Sequence, residues 1–159
     1  MTLDAAVYCD CFAKGLIKES PSTLWQLTYA PDGSLTCDSE DLETLLAFDA
    51  WWLDRACEHK GGVVVHHYLG NIALINCLRE ELKTDVKRYP LLLERVLYSG
   101  THAGDYIPVE LLESLSEEVK RLVLHECREK KNAAYVHHFQ EQMMELLQAA
   151  MRLQKPISF

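Results

Sequence analysis

No run of apolar residues in this chain approaches the roughly 18 needed for a membrane-spanning helix. The N-terminal residues Met-Thr-Leu-Asp-Ala-Ala-Val-Tyr lack the basic region and apolar core of an export signal. No Cys-x-x-Cys pair occurs among the six cysteines, at positions 9, 11, 37, 57, 77 and 127. Without an export signal they read as reduced thiols in a cytoplasmic protein, mostly small core residues. His-Glu-x-x-His, Gly-x-Ser-x-Gly and phosphate-loop spacings are also missing, which removes the common zinc-protease, serine-hydrolase and nucleotide-binding signatures. Basic residues are outnumbered 16 to 24, a formal net charge of −8. That excludes a general nucleic-acid binder, whose phosphate contacts need a basic face. It suits solubility or a basic partner.

What is present fits one domain spanning 1–159, long enough to bury roughly 70% of the unfolded chain's surface without a metal or disulfide. Leu3, Ala5, Val7, Cys9 and Cys11 alternate with Asp4, Ala6, Tyr8 and Asp10, the period of a half-buried strand. A loop follows, then a hairpin with strands near 24–29 and 35–37 around Pro31-Asp-Gly-Ser34. Residues 1–37 are therefore expected to form a small antiparallel sheet. From Asp38 the period becomes helical: Leu42, Leu45, Leu46, Trp52, Leu53 and Ala56 make an apolar stripe that ends at Gly61-Gly62. Val63 to Tyr68 favours a strand and Leu69 to Leu82 a helix capped by Asn71. Pro90 opens a short buried helix with Gly100 at its left-handed end. Pro108 opens another, with Leu111, Leu112, Leu115, Val119, Leu122 and Val123 as its core face, and Asn132 caps the last. Residues 38–159 are thus mainly helical, and the fold class is α+β: a mostly helical single domain with a small N-terminal antiparallel β-sheet.

No hydrophobic period explains Tyr98-Ser-Gly-Thr-His-Ala-Gly-Asp-Tyr-Ile-Pro108. A connection held between helices is where function often sits. If the protein is an enzyme, His102 and Asp105 are the pair to carry it, the aspartate orienting or charging the imidazole. The structural alternative has Asp105 satisfying backbone amides while His102 hydrogen-bonds within the loop. Tyr98, Thr101, His102 and Asp105 are binding candidates in either case. His66-His67 and His137-His138 are adjacent pairs and cannot chelate alone; a metal would need His102, His125, Asp10 or a cysteine as well. Cys9-Asp-Cys11 could take a soft metal or oxidise, but no second cysteine pair lies near it in sequence, so neither metal nor cofactor is expected. The acidic helix with Asp49, Trp51 and Trp52 is the strongest hint of a protein interface, because Trp is a frequent anchor. A homodimer burying those tryptophans is a further possibility.

Leu3-Asp-Ala-Ala-Val-Tyr-Cys-Asp-Cys-Phe12, His66-His-Tyr-Leu-Gly-Asn71 and Tyr98-Ser-Gly-Thr-His-Ala-Gly-Asp105 together resemble segments of a family of small uncharacterised bacterial proteins. The last element is also similar to one among small proteins suspected of being immunity partners of bacterial toxins. The resemblance implies a cytosolic, acidic, non-enzymatic protein that masks a toxin, such as a basic one. It transfers no residue role. Sequence thus favours a protein-binding module, with His66 and His67 among its binding residues. The alternative is a small metal-binding or hydrolytic enzyme centred on His102 and Asp105.

Overall fold

The structure, a computed structural model, describes residues 2–159. Alternation at the N-terminus gives strand β1, Thr2–Tyr8, with Leu3, Ala5 and Val7 buried on one side. Its neighbours come from far along the chain. It pairs antiparallel with β4 (Val63–Asn71), from Thr2 opposite Asn71 to Tyr8 opposite Val63. On its other edge lies β6 (Ile157–Ser158), which pairs in turn with β5 (Tyr106–Ile107). The sheet order is therefore β4-β1-β6-β5. The hairpin of β2 (Leu27–Tyr29) and β3 (Leu35–Cys37) forms as the Pro-Asp-Gly turn demands, but as a separate two-stranded sheet. The α+β class holds, but the strands of the larger sheet are not confined to the first 37 residues. A lone β1 buried on one face is completed by whichever strand edges reach it, and here those are β4 and the C-terminal tail.

Among the described residues four α-helices form where the helical periods lie, although Leu69 and Gly70, expected in the second, belong to β4. Helix α1 is Leu42–Asp54, capped by Asp41, whose carboxylate accepts from the Thr44 amide at 2.9 Å. Asn71 caps α2 (Ile72–Leu82) in the same manner. Val109 to Leu111 wind tightly into α3 (Leu112–Arg121), and α4 runs over Ala133–Leu153. Asn132 precedes α4 but does not cap it with its side chain, which instead donates to Glu81 at 2.6 Å. Between α2 and β5, Leu92–Val96 forms one wide helical turn. Gly100 does not supply a left-handed end there; the positive φ falls at Gly104, at 85°. Gly100 is needed for space instead, since a Cβ would come within 2.7 Å of the Tyr98 ring.

Two cores result. The larger gathers β1, β6, α2, α3 and α4 around Leu78, Leu92, Leu115, Phe139, Met143 and Leu147. The smaller lies beyond the end of β1, where α1 and the hairpin meet, and holds Cys9, Cys11, Leu35, Phe48, Trp51, Trp52, Ala56 and Cys57. Trp25 from the hairpin sets its ring edge against Phe48 and Trp51, with centroids 6.0 and 5.6 Å apart. This core turns α1 over. Phe48 and Trp51, outside the expected stripe, face inward, and Leu42, Leu46 and Leu53 face solvent. Nine of the thirteen positions of α1 are apolar, so either face could satisfy a helical period, and the larger aromatic areas take the inside.

Candidate functional site

Cys9 and Cys11 lie just beyond β1, where the chain turns. The Cys9 amide donates to the Gly62 carbonyl at 2.7 Å, and Leu16 and Lys14 donate back to Cys11 and Asp10 at 2.8 and 3.0 Å. The second half of the cluster comes from the end of α1. Arg55 and Ala56 both donate to the Trp51 carbonyl and close the helix, after which Cys57-Glu58-His59 leads into Gly61-Gly62 and β4. Gly61 and Gly62 both take positive φ, 58° and 69°. Gly62 has no room for a side chain, since a Cβ would fall 2.1 Å from the Trp52 ring.

These two turns face each other. Cys9 Sγ lies 3.8 Å from Cys57 Sγ, and His59 Nδ1 lies 3.4 Å from Cys11 Sγ and 4.0 Å from Cys57 Sγ. All four donor atoms sit within 4.8 Å of one another. All three thiols are free and buried, and His59 is half-buried. Burial pushes the Cys9 thiol up to about 12, against the backbone N–H of Cys11, which donates to its sulfur. Burial also raises Cys11, with the charge of a Cys57 thiolate adding to it. The residues between the ligand-type side chains point away. Asp10 pairs with Lys14 at 2.7 Å and Glu58 with Lys18 at 2.8 Å. Sequence reasoning singled out Cys9 and Cys11 but searched for a second cysteine pair. The partner is the mixed pair Cys57-x-His59, with the same one-residue spacing, which was the available signal.

The Tyr98–Pro108 loop forms a second cluster. The Tyr98 hydroxyl donates to the Asp105 carboxylate and also reaches the Thr101 carbonyl at 2.8 Å. The hydrogen bond to Asp105 raises the Tyr98 pKa above its ordinary value, with burial and the Asp105 charge adding to it. The Asp105 amide donates to the His102 carbonyl at 2.9 Å, and the Asp105 carbonyl accepts from the Phe159 amide at 2.9 Å, tying the loop to the C-terminus. His102 is only 8% exposed and lies against Tyr98, with ring centroids 4.1 Å apart and the planes tilted by 44°. Its Nδ1 lies 3.9 Å from Asp105, beyond hydrogen-bond reach, and has no other partner among the described residues. Beside the loop opens a cleft of about 440 Å³ lined by Glu94, Arg95, Tyr98, Asp105 and Tyr106. His102 faces instead a narrow apolar gap between Leu3, Ile72 and Ile75.

The remaining candidates scatter. His66 contacts Asp4 at 3.3 Å, and His67 contacts Glu145 at 2.7 Å. Asp10 belongs to the cysteine turn. The ionisable residues of these segments therefore do not converge on one cleft. Trp51 and Trp52, at 1% and 8% exposure, belong to the smaller core, and the Trp51 indole donates to the Glu19 carbonyl at 2.8 Å. Asp49 stays exposed on α1. His137 and His138 sit on the surface of α4 beside Glu141. His125 and Cys127 approach Glu81, but that carboxylate already accepts from Asn132 and from the Arg128 amide at 3.0 Å.

No family model, no curated protein and no solved structure matches this chain. No helix among the described residues is long and apolar enough to cross a membrane.

Proposed function

We propose that this chain is a protein-binding module that docks a basic partner segment on the outward face of α1. The observation that carries the reading is the exposure of Leu42, Leu46 and Leu53, at 68%, 59% and 46%, along one side of that helix. Positions 42, 46, 49 and 53 share a face, so Asp49 stands within the leucine stripe. Asp38, Glu40, Asp41, Glu43, Asp49 and Asp54 lie between residues 38 and 54, with no Lys or Arg among them. At the start of α1 the stripe adjoins a cleft of about 350 Å³ lined by Leu24, Trp25, Asp38 and Glu40. Leucines ringed by carboxylates complement an amphipathic, positively charged segment. The resemblance to toxin-immunity partners supports a basic toxin domain as that segment's source, and cytoplasmic residence fits it.

Co-expression with the product of the neighbouring gene, followed by pull-down, tests the reading. A stable complex is expected with the parent chain and is weakened with Leu46→Lys. No complex and no protection from a neighbouring toxin, or a complex indifferent to Leu46→Lys and Asp49→Lys, would sink it. A second reading, a hydrolytic enzyme at His102 and Asp105, draws on the cleft beside Tyr98 and Asp105. It is the weaker one, because Tyr98 already holds the carboxylate and the imidazole turns away from the opening.

A further inference from the structure

We propose that Cys9, Cys11, Cys57 and His59 bind one zinc ion as a closed structural centre. Zinc sits about 2.3 Å from a thiolate sulfur and about 2.0–2.1 Å from an imidazole nitrogen, so tetrahedral angles place two sulfurs about 3.8 Å apart and sulfur and nitrogen about 3.5 Å apart. The Cys9–Cys57 separation is 3.8 Å, Cys11–His59 is 3.4 Å and Cys57–His59 is 4.0 Å. Three of the six edges of a zinc tetrahedron are thus matched to within about 0.5 Å, and the other three are no longer than 4.8 Å. Thiols buried merely as small apolar groups have no reason to aim their sulfurs at one point. Here three do, and an imidazole nitrogen joins them.

The chemistry of the set selects the ion. Three thiolates and one imidazole are soft-to-borderline donors, which suit zinc and disfavour magnesium or calcium. Nearby carboxylates that would favour a hard cation are turned outward to Lys14 and Lys18. Four protein donors fill a tetrahedral shell and leave no position for a reactive water, so the centre is structural.

Its placement explains what it holds. The cross pairs Cys9–Cys57 and Cys11–His59 each join residues 48 positions apart. The ion therefore clips the end of β1 to the turn that follows α1, closing the segment that contains the hairpin and α1. The core it closes is small, with eight buried residues among those described. Ligation in the folded state but not the unfolded one adds its binding free energy to folding. The zinc centre stands independently of any partner that docks on α1.

The test uses the full chain, purified with reductant and supplied with zinc, then stripped by chelator and titrated with cobalt(II). One zinc per chain is expected, and the cobalt form should show thiolate charge-transfer absorption with intense tetrahedral d–d bands. Loss of a ligand in Cys11→Ser should weaken zinc by more than the about 100-fold typical of outer-shell changes. His59→Ala, on a half-exposed side chain, should keep the fold and alter the cobalt spectrum. Cys127→Ser, beside Glu81 and His125, should change neither stoichiometry nor spectrum. A parent chain that takes up no stoichiometric zinc or cobalt overturns the proposal. So does a stoichiometric ion whose spectrum and affinity are unmoved by both Cys11→Ser and His59→Ala.

Discussion

Replacing Gly62 by alanine isolates the contact that seats the turn between α1 and β4. Two costs add at this position. A non-glycine residue held at the observed φ of 69° loses about 1–2 kcal/mol. The new Cβ also falls 2.1 Å from Cζ2 of Trp52, inside a packed aromatic cluster, and overpacking of that kind costs about 1–3 kcal/mol. The reduced freedom of the unfolded chain offsets about 0.4–1 kcal/mol of this. A net loss of about 3 kcal/mol should lower Tm by roughly 10 °C at this chain length. Gly15→Ala is the matched control: its φ is 67°, and nothing lies within 4 Å of the added Cβ. That variant carries the backbone cost alone, about 1 kcal/mol, or roughly 3 °C. Thermal and urea unfolding of both variants, followed by Trp fluorescence, reads the difference directly. If Gly62→Ala is no less stable than Gly15→Ala, the close seating of Trp52 on this turn is wrong.

Glu81 should shape the acid limb of stability. Burial opposes its charge, but donors from Asn132 and the Arg128 and Glu129 amides outweigh it and hold the carboxyl below the ordinary glutamate range. Its contribution is therefore fully present above about pH 4.3 and is lost as the pH falls through the lower folded value, so Glu81→Gln should flatten that limb in urea titrations at stepped pH. Glu118 is buried and accepts from the Leu91 and Leu92 amides, both at 2.9 Å, at the start of the turn after Pro90. Glu118→Ala should cost about 3 kcal/mol in chemical denaturation, because one buried and one part-buried amide lose a charged acceptor. Leu46→Lys should leave stability within about 0.5 kcal/mol while weakening the α1 partner about tenfold in a binding titration.

Strong local signals carried most of the elements. The two-residue period of Leu3, Ala5 and Val7 marks β1, the Asn71 cap marks α2, and Val136, Phe139, Met143 and Leu147 mark the inner face of α4. The two-residue strands β5 and β6 carry no period, because their place is set by pairing with each other and with β1. Helix α1 is apolar around most of its circumference, so sequence chose the leucine face and packing chose the aromatic one. The tryptophans expected to anchor a partner became core, and the leucines expected to be core became surface. At the candidate metal centre, half of the donor set was visible as Cys9-x-Cys11. His59 is hidden in the sequence because Cys11 lies 48 residues away, and only the antiparallel β1–β4 pairing returns the chain to it.

That same pairing connects the two sites. Residues Tyr8 and Val63 are opposite each other at the last rung, so the chain leaves β1 and enters β4 side by side. Everything between them, including the hairpin and α1, is an excursion from one end of a single ladder. Its small core is built around the buried rings of Phe48, Trp51 and Trp52 and must hold α1 at a fixed angle for the leucine stripe to present one surface. A clip at the base of the excursion is where a single ion removes the most freedom, because it fixes both ends of the segment together. If the clip orders α1 in this way, stripping zinc should weaken partner capture while leaving the larger core of α2, α3 and α4 folded. Hydrogen exchange on the stripped chain would read this directly, as faster exchange over residues 42–54 with protection in 133–153 retained. Equal loss of protection in both segments would mean that the ion supports the whole chain rather than the docking helix.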